Sequence, residues 1–255
     1  MGDEQRAWQG VLAHIEERLV DGRLRPGDHL PPERTLATDL SVGRSSVREA
    51  VRVLEAMGLV RTQTGSGPSS GAIIVARPVG GMQALMRLQV AASGFPVADV
   101  VKTRLLLESA VAADLAERSP GVQLAEAEAL LDAMDDPART PQEFLALDAQ
   151  FHLSLAEASG NTVVAATMAG LRSSIEGYVL AGLARIHDWA TMSARLRAEH
   201  RSVIAAIVAG DAGEARTRIH DHISGYYRDA APERTTPASG LPSNTPSPAL
   251  RHEFR

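Results

Sequence analysis

The sequence predicts a mainly α fold that joins an N-terminal winged helix-turn-helix to a C-terminal antiparallel all-α helical bundle. Two observations predict it. Three helical patterns followed by two short β-rich runs fill residues 1–78, and apolar residues recur at helical spacing almost throughout from about residue 82. The length of 255 residues suits two domains, and the 44% of apolar residues are ample for a packed core.

The N-terminal elements follow one another closely. Apolar residues at helical spacing, among them Val11 and Ile15, predict a first helix over 5–21, which Gly22 and "RPGD" end. "PPERTLATDL" begins a second helix, "SVG" is a tight break, and "RSSVREAVRVLEAMG" is a third helix. The runs "LVRTQ" and "AIIVA" flank the loop "TGSGPSSG", which predicts a hairpin with a long tip.

Short turn signals such as "SPG" and "DDPART" separate the later helices. We predict these helices over 82–92, 97–118, 122–134, 141–158, 162–183, 189–209 and 212–229. The segment from 231 onward is rich in Pro, Ser and Thr, so we expect it to be disordered. The predicted division is a winged helix-turn-helix domain (1–78), a linker with the first bundle helix (79–96), a helical bundle (97–230) and a tail (231–255).

Composition restricts the function classes. The absence of cysteine excludes disulfides and thiolate metal ligands and fits a reducing compartment. "MGDEQRAWQG" does not have the pattern of a secretory signal, and no window of 18 residues is uninterruptedly apolar, so we expect a cytoplasmic protein. The net charge is −5, and ten arginines balance ten acidic residues within 1–78, so nucleic-acid binding would have to depend on local arrangement.

The third helix carries such an arrangement at its beginning. The N-terminal residues of a recognition helix are the ones that reach base edges in the major groove. The residues at that position are Arg44, Ser45, Ser46 and Arg48. Arginine can pair bidentately with guanine, serine can bond a base edge or a phosphate, and the two arginines are one turn apart.

Two further groups belong to the same hypothesis. Arg34 begins the preceding helix, where it could hold a phosphate, and the loop tip "TGSG" offers backbone N–H groups to the sugar-phosphate chain. The alternative is that the arginines are merely solvated or pair with Glu49 and Glu55. The order helix, "SVG", helix and hairpin favours the DNA-binding interpretation.

The bundle segment contains a cluster of ionisable residues on apolar helix faces. Asp148 and His152 share a face at i, i+4, and His200 and His222 each fall in an aliphatic stripe of their own helix. Each histidine alone could be a core residue with one hydrogen bond, but one divalent cation would satisfy all four side chains together. Three imidazoles and one carboxylate suit Zn, Ni, Mn or Co. His220 points to solvent in this pattern.

The segment "LPPERTLATDLSVGRSSVREAVRVLEAMGLVRTQTGSG", from Leu30 to Gly67, strongly resembles the DNA-binding domain of GntR-family transcription regulators. One departure is that "PSSG" intervenes between the wing's Gly-x-Gly and "AIIVA". The resemblance implies that operator DNA is contacted by Arg34, Arg44 and Arg48, with help from Ser45, Ser46 and Gly65.

Residues 97–229 resemble the helical ligand-binding domain of the FadR-like branch, the FCD type, in the segments "RLLLESAVAADLA", "DAQFHLSLAEASGN" and "EHRSVIAAIVAGDAGEARTRIHDHI". The resemblance implies that the metal ligands are Asp148, His152, His200 and His222. It also implies that Arg104 binds the carboxylate of a small organic acid beside the metal. Alternatively or in addition, Arg104 pairs with Glu108 one turn later.

These inferences predict a ligand-responsive repressor or activator that binds a pseudo-palindromic operator as a homodimer. One alternative is a metal sensor without an organic effector. The other is a metal-dependent hydrolase, which is disfavoured because the chain has no "HExxH" and because we expect the nearest acid, Glu199, to face outward. We therefore expect no enzymatic activity.

Overall fold

The computed structural model describes residues 2–63, 71–75 and 80–230, with side chains from residue 7 to residue 229 of these ranges. The N-terminal unit contains α1 (Gly2–Val20), α2 (Glu33–Asp39), α3 (Arg44–Ala56), β1 (Val60–Gln63) and β2 (Gly71–Ile74). The remainder contains α4 (Gly80–Ala91), α5 (Val97–Glu117), α6 (Ala125–Met134), α7 (Pro141–Ala158), α8 (Thr162–Gly182), a short 3₁₀ turn (Leu183–Arg185), α9 (Trp189–Val208) and α10 (Ala212–Ala230). The mainly α fold class is confirmed. The predicted disordered tail, 231–255, lies outside the described residues.

The winged helix-turn-helix folds around a small core to which every one of its elements contributes. Its buried members include Val11, Ile15, Leu36, Val47, Val51, Leu54, Val60 and Ile74. The break between α2 and α3 depends on Ser41, which adopts a left-handed φ of 54°, and Gly43 then begins α3 without a side-chain cap. The first backbone N–H groups of α3 are therefore not consumed by a capping side chain.

The wing is a two-stranded antiparallel sheet in which Val60 lies opposite Ile74. Glu55 near the end of α3 accepts hydrogen bonds from the backbone N–H and the hydroxyl of Thr62, so the wing is attached to α3. These bonds lower the pKa of the Glu55 carboxyl. The tip of the hairpin, with Gly65, lies outside the described residues.

The bundle packs α5 against α10 and α10 against α9, with α7 between α6 and α8. One continuous apolar core joins these helices, and its fully buried members include Leu115, Met134, Phe151, Val203, Ile207 and Ile219. The helix predicted over 122–134 begins only at Ala125, and residues 122–124 before it have no regular secondary structure. Asn161 caps α8 by accepting from the N–H groups of Val163 and Val164. No helix among the described residues is both long and apolar enough to cross a lipid bilayer.

Helix α4 contacts both parts of the chain. Along most of its length it packs against α8, where Gly170 lets Met86 approach, since a Cβ on Gly170 would lie 3.2 Å from the Met86 Cγ. At its beginning, a side chain on Gly81 would collide with the backbone carbonyl of Met57, the residue that ends α3. The bundle and the third helix of the winged unit therefore meet through α4.

Candidate functional site

Four side chains from three helices converge inside the bundle. Asp148 and His152 come from α7, His200 from α9 and His222 from α10, and one donor atom of each lies within 4.8 Å of the others. The Nε2 atom of His222 lies 3.2 Å from the Nε2 of His152 and 3.0 Å from the Nε2 of His200. The Oδ1 of Asp148 lies 3.2 Å from the Nε2 of His200 and 3.8 Å from that of His152. The sequence prediction that these four residues meet is confirmed.

The cluster is shielded from water. Side-chain exposure is 1% at His152, 0% at His200, 3% at His222 and 13% at Asp148. Burial lowers the pKa of His152 to about 3 and that of His200 to about 4, so both imidazoles are neutral at neutral pH. Burial alone would raise the pKa of Asp148, but the neighbouring His152, His200 and Arg172 hold it well below the usual range. The site therefore combines neutral nitrogens with one ionised carboxylate.

Two carboxylates outside the cluster orient two of its rings. The Nδ1 of His152 bonds Glu108, and the Nδ1 of His222 lies 2.8 Å from the Oε2 of Glu199. Burial favours the neutral acid at Glu108, but Arg104 and His152 outweigh it and lower the pKa of that carboxyl. A carboxylate only accepts, so each Nδ1 donates the hydrogen bond, and in the neutral form of each ring this leaves the Nε2 lone pair facing the centre. The expectation that Glu199 faces outward is wrong: its side chain, 30% exposed, reaches across from α9 to α10.

This geometry fits a metal ion. The lone pairs of His152 and His222 face each other across 3.2 Å, an arrangement that repels unless a cation lies between them. Metal–nitrogen bonds of about 2.0–2.1 Å place neighbouring donors roughly 3.0–3.4 Å apart, which matches the separations of the nitrogens here. The Nδ1 of His200 is buried without a hydrogen-bond partner among the described residues. This ring is therefore positioned by packing and by the contacts of its Nε2 with His222 and Asp148.

Arg104 lies beside the cluster but its guanidinium is already engaged. Its Nε and Nη2 each lie 2.8 Å from the Oε1 of Glu108, and its Nη1 donates to the Tyr227 hydroxyl at 2.8 Å. Of the two roles that the sequence left open, the structure therefore shows the pairing with Glu108. The carboxylate-binding role of Arg104 stays a prediction.

Sequence reasoning missed Arg172. Its Nη2 donates to the Oδ2 of Asp148 at 2.8 Å, which places it directly against the cluster. The available signal was its position on α8 between Met168 and Ile175, two buried residues that share its face at helical spacing. A lone arginine on such a face needs a partner, and Asp148 is one.

A pocket of about 450 Å³ opens next to these arginines, between α4, α5, α7 and α8. Arg104 and Arg172 line it, together with apolar side chains of α7 and α8 and with Gln83 of α4. Its volume falls in the range of small-molecule sites, roughly 300–1,000 Å³. The pocket is one hydrogen bond away from Asp148, through Arg172.

The predicted DNA-contacting residues are mostly on the surface of the winged unit. Arg34, Arg44, Ser45 and Arg48 are exposed, whereas Ser46 is buried with 5% exposure. No carboxylate among the described residues forms an ion pair with any of these three arginines. Glu55 bonds Thr62 instead, so its pairing with an arginine is absent from this structure. The roles of these residues in DNA binding stay predictions, and Gly65 lies outside the described residues.

Comparison with protein families gives two matches. The model of "Bacterial regulatory proteins, gntR family" matches residues 8–68, which include most of α1 and all of α2, α3 and β1. The model of the FCD domain matches residues 99–225, which include all four residues of the cluster.

Related proteins match this chain over most of their length. An Escherichia coli (strain K12) regulatory protein named for the L-lactate dehydrogenase operon is 32% identical over 228 residues, covering 84% of this chain and 82% of that protein. The transcriptional regulator LutR of Bacillus subtilis (strain 168) is 29% identical, covering 83% and 98%. The solved structure of Streptococcus agalactiae GntR superposes with a TM-score of 0.63 at 27% identity, covering 87% and 99%.

These relatives are transcription regulators rather than enzymes, and they match this chain from the winged domain through the bundle. The chain therefore belongs to the GntR family of bacterial regulatory proteins and is a DNA-binding transcriptional regulator with a C-terminal FCD domain.

Proposed function

We propose that this regulator binds a pseudo-palindromic operator as a homodimer, and that a small organic acid bound beside a divalent metal ion in the FCD domain controls its affinity for that operator. The observation that carries the proposal is the convergence of three imidazoles and one carboxylate next to a pocket of about 450 Å³. A regulator that reads chromosomal DNA acts in the cytoplasm, where we place this chain.

The donor atoms of the four side chains restrict which metals the site would bind. Asp148, His152, His200 and His222 would hold the ion, and nitrogen with oxygen donors suits Zn, Ni, Mn or Co. Four protein ligands leave positions free on a five- or six-coordinate ion. When bound, such an ion supplies a Lewis acid to which an oxygen of the organic acid can attach.

Helix α4 offers a physical route from the pocket to the winged domain. Gln83 of α4 lines the pocket, and two residues earlier Gly81 lies against Met57 at the end of α3. An occupant of the pocket that contacts Gln83 thus acts on the helix that touches the recognition helix. The occupant shifts the winged domain from one placement to another only if it binds the protein with different affinity in the two placements.

The exposed beginning of α3 supports the DNA-reading part of the proposal. Arg44 and Arg48 are exposed and lie one turn apart at the beginning of α3, where arginine side chains can bond bases. No side chain caps this helix, so its first backbone N–H groups can bond a phosphate. The two-fold symmetry of a homodimer would be mirrored in the two half-sites of the operator.

Arg48→Ala is expected to weaken specific operator binding by about 1–3 kcal/mol and to relax preference at one base position, if Arg48 reads a base. The measurement is operator affinity against single-base variants of the site at fixed salt. Arg23→Ala is the matched control, since it removes an exposed arginine paired with Asp21 away from α3. An unchanged base preference with weaker binding would reduce Arg48 to a phosphate contact, and unchanged binding would remove it from the interface.

His200→Ala is expected to lower metal affinity by at least the roughly 10–100-fold that changes outside the ligand set produce, and to lower the melting temperature of the bundle. Metal content per chain, measured after dialysis against trace zinc, checks this. His220→Ala is the control, because His220 is exposed on α10 only two residues from His222. Full metal occupancy in the His200 variant would exclude His200 as a ligand.

Operator binding titrated with zinc and with L-lactate separates the organic-effector hypothesis from a pure metal sensor. We use L-lactate because one relative is named for an L-lactate dehydrogenase operon, together with gluconate as a larger acid. Operator affinity of the zinc-loaded chain should change with at least one acid and not with its amide. If removing zinc with a chelator and restoring it accounts for the whole change in operator affinity, and neither acid changes that affinity further, the organic-effector hypothesis is wrong and the metal is the signal.

A further inference from the structure

We propose that an outer groove between α9 and α10 is the route by which a divalent ion reaches and leaves the four-residue cluster, with His222 at its inner end. The inference rests on the proposed function, because it assigns an access route to the metal site described there. Other helices surround the pocket of about 450 Å³, so metal exchange and effector binding would use separate openings of the bundle.

The outer groove has a volume of about 470 Å³, and its lining includes Glu199 and Ser202 of α9 and His222 and Arg228 of α10. His222 stands between this groove and the cluster. Its Nε2 lies 3.2 Å and 3.0 Å from the Nε2 atoms of His152 and His200, and its Nδ1 lies 2.8 Å from the Oε2 of Glu199. Within the described part of the chain, the groove thus reaches a cluster residue, whereas the pocket of about 450 Å³ has none of the four on its lining.

The hydrogen-bond partner of His222 is the most accessible support in the cluster. The Nδ1 of His152 bonds Glu108, which is buried, and the ring of His200 has no exposed surface. Glu199, in contrast, is 30% exposed and lines the groove. Water can replace a hydrogen bond to a solvated carboxylate at a modest net cost. The His222 ring can therefore turn towards the groove without leaving a buried group unpaired.

The opposite side of the cluster is less suitable for a cation. Asp148 is the most exposed cluster residue, but Arg172 donates to it at 2.8 Å, and Arg104 and Arg172 both line the pocket beyond. A cation that entered there would pass two guanidinium groups that are largely buried, where charge is poorly screened. The arginines of the outer groove are more exposed to water, and the carboxylates of Glu199 and Asp221 lie on the same lining.

Arg228 gives this route an electrostatic barrier that can be measured. Of the three arginines on the groove, Arg195 pairs with Asp229 and Arg218 pairs with Glu214. Arg228 is exposed and forms no ion pair with a carboxylate among the described residues. An unpaired positive charge beside the route raises the barrier for a cation in both directions. The groove therefore favours slow exchange of the ion.

The test measures the rate at which the zinc-loaded full-length chain releases zinc into an excess of fluorescent zinc indicator, together with its equilibrium zinc affinity; the entry rate follows from the two. Ser202→Leu places a larger side chain in the groove and leaves all four proposed ligands in place. It should slow release about tenfold with an unchanged affinity, because an obstacle on a route slows entry and release alike. Ala205→Leu is the matched control, an exposed position on α9 outside the groove lining.

Arg228→Gln should act in the opposite direction. Removing the unpaired charge should speed release about two- to fivefold at low ionic strength, and high salt should abolish the difference. Arg216→Gln is its control, since Arg216 is an exposed arginine of α10 that is not on the groove lining. Because Arg228 is on the surface, this variant keeps the test decisive if Ser202→Leu does not fold.

Ser173→Leu narrows the pocket of about 450 Å³ and tests the alternative route. Slower release in this variant, with wild-type release in Ser202→Leu, overturns the route through the groove. Wild-type release rates in both Ser202→Leu and Arg228→Gln overturn it as well, while the metal site stands. A Ser202→Leu chain that binds zinc more weakly at an unchanged entry rate makes Ser202 a structural support and also overturns the route. A wild-type chain that binds no zinc overturns both the route and the metal site.

Discussion

The arrangement of the bundle interior depends on two hydrogen bonds that fix imidazole tautomers. Glu108 and Glu199 hold the Nδ1–H groups of His152 and His222, so the Nε2 lone pairs of both rings point at one centre. Without a cation these lone pairs repel each other inside a region where charge is poorly screened. The packing of α5 against α7 and of α9 against α10 brings the two carboxylates within reach of these rings, so the tautomers depend on how the helices pack.

The same constraint organises the pocket. Glu108 uses its second oxygen to hold Arg104, and Asp148 uses its second oxygen to hold Arg172. Glu108 and Asp148 thereby link the centre to the wall of the pocket, to which α4 contributes Gln83. Since α4 also lies against the end of α3, this helix joins the wall of the pocket to the recognition helix.

Much of this could be predicted from the sequence, and the rest could not for geometric reasons. Asp148 and His152 reveal themselves by i, i+4 spacing, and His200 by interrupting an aliphatic stripe, because these signals lie within single helices. The contacts of Glu199 and Arg172 cross between helices, so they depend on the rotation and spacing of neighbours that periodicity does not specify. The burial of Ser46 illustrates the same limit, since its place at the start of α3 suggested exposure. The pairing of Arg104 with Glu108 was one of two open alternatives and needed the structure to be decided.

Anomalous diffraction from crystals of the full chain, recorded on both sides of the zinc, nickel, cobalt and manganese absorption edges, tests the central claim most directly. A single anomalous peak is expected at bonding distance, about 2.0–2.2 Å, from three Nε2 atoms and one Asp148 oxygen. Occupancy should be close to one per chain, with Glu108 and Glu199 still on the Nδ1 atoms. A cluster that holds only water or a proton between His152 and His222 after incubation with each metal would contradict it.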